Sequence, residues 1–240
     1  MPAVRQDALA GPLVGLLGEV ALLAALAATV GLGPAGWAFG LAYGLALGVL
    51  LTRAMDRAGV AVLRPADRVT LLRAVLVGGV TALVADALAG RPVPVVVLMA
   101  LTITALALDA VDGRVARRTG TASELGARFD MEVDAFLILV LGVYAADLFG
   151  WWVLALGSMR YAFVVAGWAL PWMRRPLPPR YWRKVVAAAQ GIVLTAAVAD
   201  VLPRPLVAVA LAGALALLVE SFGRDVLWLW RRQAPRPVLR

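Results

Sequence analysis

The stretch "LDAVDGRVARRTGTASELGARFDMEVDAF" (108–136) gathers Asp109, Asp112, Asp130 and Asp134 in a chain that otherwise avoids charge. Asp109, Asp112, Gly113 and Ala116 are spaced i, i+3, i+4, i+7, which places them on one helix face. Asp130 and Asp134 are spaced i, i+4 and share a face of the next helix, with Gly126 one turn earlier on the same face. Two helices joined by a short loop around Thr119–Ala122 can therefore point four carboxylates at one another. Gly113, Ala116 and Gly126 leave room for a bulky group against the backbone. Four like charges at this spacing repel, and acids near a bilayer need partners. Divalent cations supply them. Oxygen ligands in a chain with no His and no Cys favour Mg²⁺ or Mn²⁺. Two such ions, roughly 3.5–4 Å apart and bridged by carboxylates, would polarise a phosphate and stabilise both attacking and leaving oxygens. Two other readings stay open from these residues. A DxxD at a helix end is commonly a solvated cap or ion-pair partner, and intramembrane acids also line cation paths in transporters.

The elements that must position these acids are apolar. The 240 residues are 62% hydrophobic and only 16% charged, with mean hydropathy +0.88. A soluble domain carries about 25% charged residues, so the composition predicts a polytopic bundle of membrane helices, all-α. Absence of Cys removes disulfides, thiolate chemistry and palmitoylation. Absence of His removes phosphohistidine intermediates, imidazole acid–base chemistry and His-ligated zinc. Catalysis is left to carboxylates, Lys, Arg, hydroxyls or an oxygen-held metal.

Eight spans are expected, at about 12–31, 35–52, 70–89, 93–111, 128–148, 151–172, 185–202 and 205–224, each near the ~20 residues a crossing needs. The first is too long for a cleavable signal peptide and continues into membrane pattern. The net charge of +8 is not laid out as a nucleic-acid stripe, and no nucleic-acid partner is expected. It concentrates between the apolar runs, as topology and anionic head groups would require. With a cytoplasmic N-terminus, the arginines of 53–68, 114–118, 174–183 and the tail fall inside, and only Arg91 and Arg204 fall outside. The positive-inside rule thus predicts a multi-pass protein of the cell (plasma or inner) membrane, with both termini and the acidic stretch cytoplasmic. "TRAMDRAGVAVLRPADR" (52–68) is too charged to span and suits a helix on the inner surface, closed by Pro65. Gly36, Gly40, Gly44 and Gly48 repeat every four residues, a groove for close packing either within the chain or across a dimer.

The acidic stretch reads D-x2-D-G-x2-A-R-x8-G-x3-D-x3-D from Asp109 to Asp134. At roughly 5–10% usage per residue type, chance yields it far less than once in about a million positions. The string resembles the signature of the CDP-alcohol phosphotransferase family at every fixed position. "PADRVTLLR" (65–73) resembles the opening of that family's first core helix. The resemblance covers about residues 60–230 and implies a six-helix core with two extra N-terminal helices. The layout it implies is 1–51 for those two helices, 52–68 for the surface linker, 69–230 for the catalytic core and 231–240 for a basic tail.

Family members transfer a substituted phosphoryl group from a CDP-linked donor to an alcohol hydroxyl and release CMP. The resemblance implies that Asp109, Asp112, Asp130 and Asp134 hold two divalent ions, Mg²⁺ or Mn²⁺. It implies that Asp134 also acts as general base on the alcohol. Asp67, Thr70, Gly113, Arg117, Ser123 and Gly126 would meet the nucleotide and its pyrophosphate. A homodimer, a CDP-linked lipid donor (CDP-diacylglycerol) and a small alcohol acceptor in phospholipid synthesis complete the expectation. Chemistry agrees, since metals and an Arg neutralise a pyrophosphate and a carboxylate is the base left when His is absent.

Outside the motif, Arg160 in "GSMRYAF" is singled out as a basic residue within an apolar span, with Arg183 and Lys184 at the start of the seventh. All three are candidates for an anionic acceptor; snorkelling or an ion pair is the plainer role. Glu19 is assigned none. The residues after the third and fourth Asp are Met131 and Ala135, where phosphatidylglycerophosphate synthases carry Pro and Lys and inositol-phosphate enzymes carry Arg after the fourth. "ARRTGTASELGARFD" (116–130) is closer to choline/ethanolamine phosphotransferases, which act on a lipid alcohol and form the alternative reading. A cation transporter is the alternative outside the family.

Overall fold

The computed structural model describes residues 2–120, 123–175, 177–178 and 180–232. It is 87% helix with no strand among the described residues. Among the described residues eight helices follow one another: α1 (Pro2–Val30), α2 (Pro34–Ala58), α3 (Pro65–Leu88), α4 (Val95–Thr119), α5 (Glu124–Phe149), α6 (Leu154–Ala169), α7 (Tyr181–Ala199) and α8 (Arg204–Arg231). Single turns of 3-10 helix precede and follow α6. Seven of these helices are long and apolar enough to cross a membrane. α5, expected to span over 128–148, is outside the seven. Its 26 residues amount to about 39 Å at 1.5 Å per residue, ample for a crossing, but Asp130, Glu132, Asp134 and Asp147 break its apolar run. The chain divides into two compact units, 1–140 and 141–240.

In the first unit α3 is the central helix. Some 72% of its spanning window is buried, because α1, α2 and α4 all pack against it. α1 presents Gly11, Gly15 and Gly18 to Leu63, Leu71 and Val75, and a Cβ at Gly15 would stand 2.8 Å from Leu71 Cδ1. Small residues on one side and branched ones on the other let the two axes approach, which is how helices associate without a hydrophobic driving force.

The glycine repeat of α2 is used within the chain. A Cβ at Gly36 would stand 3.0 Å from the carbonyl of Ala82, one at Gly40 3.3 Å from Ala82 Cβ, and one at Gly44 2.9 Å from Glu19 Cγ. Gly48 has nothing within 4 Å. Glu19 itself is fully buried, with its carboxylate against Gly78 of α3 where any side chain would collide. The start of α2 is tied to α3 as well. Asp86 is buried, and its carboxylate accepts the N–H groups of Gly33 at 2.5 Å and Gly36 at 2.7 Å. It thereby satisfies donors that a helix start leaves open.

The separate surface helix expected over 52–68 is absent. α2 continues through the charged residues to Ala58, where Gly59 at φ 64 takes the left-handed cap conformation. Residues 59–64 form the connection, and Pro65 opens α3 as its first residue instead of closing an earlier helix. A proline at the first helical position loses no hydrogen bond, so Pro65 favours the start over the stop. The tail expected over 231–240 lies, from residue 233 onward, outside the described residues.

In the second unit α7 and α8 pair through a turn in which Asp200 has φ 48. Asp225 of α8 holds Arg183 of α7 through two contacts, Nε–Oδ2 at 2.7 Å and Nη2–Oδ1 at 2.9 Å. Gln190 of α7 donates to the carbonyl of Leu156 on α6 at 3.1 Å.

Candidate active site

The acids converge at the C-terminal half of α4 and the N-terminal half of α5. Asp109, Asp130 and Asp134 each offer a carboxylate oxygen, and these atoms all lie within 4.8 Å of one another. Their side chains are 44%, 34% and 42% exposed, so the trio is open on one side. Asp112 is on α4 in the same run, with its side chain outside the described residues, as is that of Arg117. Gly113 lies on α4 between them.

Behind the trio is a residue the sequence reading passed over. Arg73 of α3 is fully buried. Its Nη1 bonds Asp130 Oδ1 and lies 3.1 Å from Asp109 Oδ1, and its Nη2 bonds Asp134 Oδ1. Its Nε donates to the carbonyl of Ala105 at 3.1 Å, one turn before Asp109 on α4. The signal for it was present. Arg73 falls inside the span expected over 70–89, as Arg160 falls inside another, and a charge within a span marks a site.

Beside the acids, α5 is opened by Ser123, whose hydroxyl accepts the N–H of Gly126 at 2.9 Å, an N-cap bond to the third helical residue. Asp67 is buried near the start of α3 and accepts the backbone N–H of Arg64 at 3.0 Å. Its Oδ1 occupies the place a Cβ at Gly126 would take. The room that Gly126 leaves is thus filled by Asp67, which draws Asp67, Ser123 and Gly126 into one group. Thr70, one turn after Asp67, is buried and its hydroxyl donates to the carbonyl of Ala66 at 3.3 Å. The expected nucleotide residues on α3 and α5 are therefore neighbours, and α3 carries Thr70 and Arg73 on adjoining turns.

The three acceptor candidates belong to the second unit. Arg160 lies on α6 and is partly buried. Arg183 is engaged bidentately by Asp225 as described, and Lys184 on α7 is exposed.

The chemistry open to the first-unit group is that of hard-cation and phosphate binding. Its donors are carboxylate oxygens, suited to Mg²⁺ or Mn²⁺. A buried arginine and a serine at a helix start stand beside them. No curated relative and no solved structure matches the chain. A family model described as CDP-alcohol phosphatidyltransferase matches residues 63–219, a segment that begins just before α3, contains all of the converging acids and ends within α8. On that match the chain belongs to the CDP-alcohol phosphatidyltransferase family, whose members transfer a phosphate-linked group from a CDP-alcohol to another alcohol.

Proposed function

We propose that this protein is a divalent-metal-dependent transferase of phospholipid synthesis that uses CDP-diacylglycerol as donor and releases CMP. The observation that carries the reading is the convergence of Asp109, Asp130 and Asp134 oxygens within 4.8 Å inside the family-matched segment. Two Mg²⁺ or Mn²⁺ ions held by Asp109, Asp112, Asp130 and Asp134 would supply charge neutralisation at the pyrophosphate. Asp67, Thr70, Gly113, Arg117, Ser123 and Gly126 orient the nucleotide. The acceptor hydroxyl oxygen attacks the lipid-bearing phosphorus of the pyrophosphate. The bond from that phosphorus to the bridging oxygen breaks, CMP leaves with the electron pair, and Asp134 takes the hydroxyl proton.

Arg160, Arg183 and Lys184 are the basic residues offered to an anionic acceptor. Arg183 must exchange Asp225 for that role. The protein works as a homodimer in the cell membrane with both termini and the site cytoplasmic. Helices α1 and α2 form an N-terminal pair ahead of the catalytic core, which begins with α3 and so includes Asp67.

The test is CMP release by purified protein with Mn²⁺ or Mg²⁺, across a panel of CDP-linked donors and alcohols. Release with CDP-diacylglycerol and a small alcohol supports the reading. Release only with CDP-choline or CDP-ethanolamine and a lipid alcohol moves the protein to the other branch. No release from any pair, with cation flux into proteoliposomes, would replace the enzyme by a transporter.

A further inference from the structure

We infer that Arg73 is a positioning residue that assembles the carboxylate trio from its buried side before any cation arrives. The inference rests on the metal-binding reading above and adds a residue to it. Three carboxylates brought this close repel one another, and left alone they would turn to separate rotamers or separate the helices that carry them. The guanidinium of Arg73 opposes this from within. It contacts Oδ1 of Asp109, Asp130 and Asp134 and so ties the three acids to one group. The direction is set by burial. The Arg73 side chain is 1% exposed while the three carboxylates are 34–44% exposed, so the cation backs the acids and their open side faces away from it.

Geometry also holds the guanidinium in place. Its Nε donates to Ala105 at 3.1 Å, which anchors the fork to α4 while Nη1 and Nη2 reach α5. An arginine stays charged at any relevant pH and presents its donors in a rigid plane. A lysine at this place has one ammonium on a flexible stem and cannot hold the same partners in the same plane. Arg73 thus acts on the reaction through the acids, in the way that groups behind metal ligands fix ligand orientation, whose loss typically lowers metal affinity 10–100-fold. The opposing effect is repulsion between Arg73 and an incoming cation. The arrangement favours positioning, because the guanidinium is buried behind the acids while the carboxylates stay 34–44% exposed on their open side.

The experiment compares Mn²⁺ affinity and stoichiometry, by electron paramagnetic resonance and calorimetry, for full-length wild type, Arg73→Met and Arg73→Lys in detergent. Helicity by circular dichroism is checked alongside. The expected result is a loss of about 10–100-fold in Mn²⁺ affinity for Arg73→Met, a smaller loss for Arg73→Lys, and unchanged helicity. Mn²⁺ binding by Arg73→Met equal to or tighter than wild type would overturn the inference, since the guanidinium would then be idle or a competitor. If Arg73→Met does not fold, Arg73→Lys decides alone: wild-type affinity in it would mean that charge without the planar fork suffices. A wild type that binds no Mn²⁺ removes the metal reading and this inference together. A wild type that binds, with Arg73→Met binding as well, removes this inference only.

Discussion

Asp134 has two tasks in the proposed reaction, ligation and proton removal, and both must be separable by substitution. Asparagine at 134 keeps one amide oxygen, which can still face a cation, but cannot accept the alcohol proton. Asp134→Asn should therefore lose about 10²–10⁴-fold in CMP release, the usual share of general base catalysis, and retain much of its Mn²⁺ binding. Asp109→Asn and Asp130→Asn should lose Mn²⁺ affinity together with turnover. Equal loss of affinity in all three, measured by the same titration, would refute the division.

Gly126 offers a second residue-scale test. A methyl there runs into Asp67 Oδ1, so the Asp67 carboxylate has to turn away from the start of α5. If Asp67 meets the nucleotide, Gly126→Ala raises KM for the CDP donor by about tenfold or more, the equivalent of one hydrogen bond to a charged group. Mn²⁺ affinity should hold, because the acids lie a full turn or more further along. A loss of Mn²⁺ affinity with unchanged KM would reverse the assignment.

At the scale of elements, α2 shows how a sequence pattern is resolved by its surroundings. Four glycines at i, i+4 spacing fit a dimer face as well as an internal groove. Contacts of Gly36, Gly40 and Gly44 with Ala82, Leu23 and Glu19 place three of them inside the chain. Gly40→Leu with Gly44→Leu should lower the melting temperature without changing the oligomeric state, at about 1–3 kcal/mol per site for forced overpacking. Gly48→Leu, with open space around it, should leave both unchanged. A monomeric double variant with wild-type melting behaviour, seen by size exclusion and scanning fluorimetry, would put the ladder at the dimer face after all.

For the whole molecule, the orientation of the bundle decides whether the acids meet cytoplasmic nucleotides. The chain has no cysteine, so single introduced thiols report topology without background. Arg57 near the end of α2 and Pro92 between α3 and α4 are both exposed and lie at opposite ends of α3. In intact cells, a membrane-impermeant maleimide should label Pro92→Cys and spare Arg57→Cys, which reacts only after the membrane is opened. The reverse pattern would turn the protein over and set the site on the wrong face for CDP-linked donors.

Much of this protein is determined by local rules that a sequence carries on its face. Helix periodicity alone puts Asp109 with Asp112, and Asp130 with Asp134, because side chains three and four apart share a face whatever lies around them. Length and apolar content likewise mark seven of the eight helices, and α5 is blurred only by the acids that make it interesting. Tertiary structure decided the rest, because it depends on partners distant along the chain. Arg73 is 57 and 61 residues from Asp130 and Asp134, and no spacing rule connects them. Asp86 is 53 residues from the Gly33 N–H that it accepts. In the same way Pro65, which can end one helix or begin another, had its choice made by where α2 stopped. Packing of α3 against its neighbours brings these groups together, and only a folded chain states which buried charge faces which.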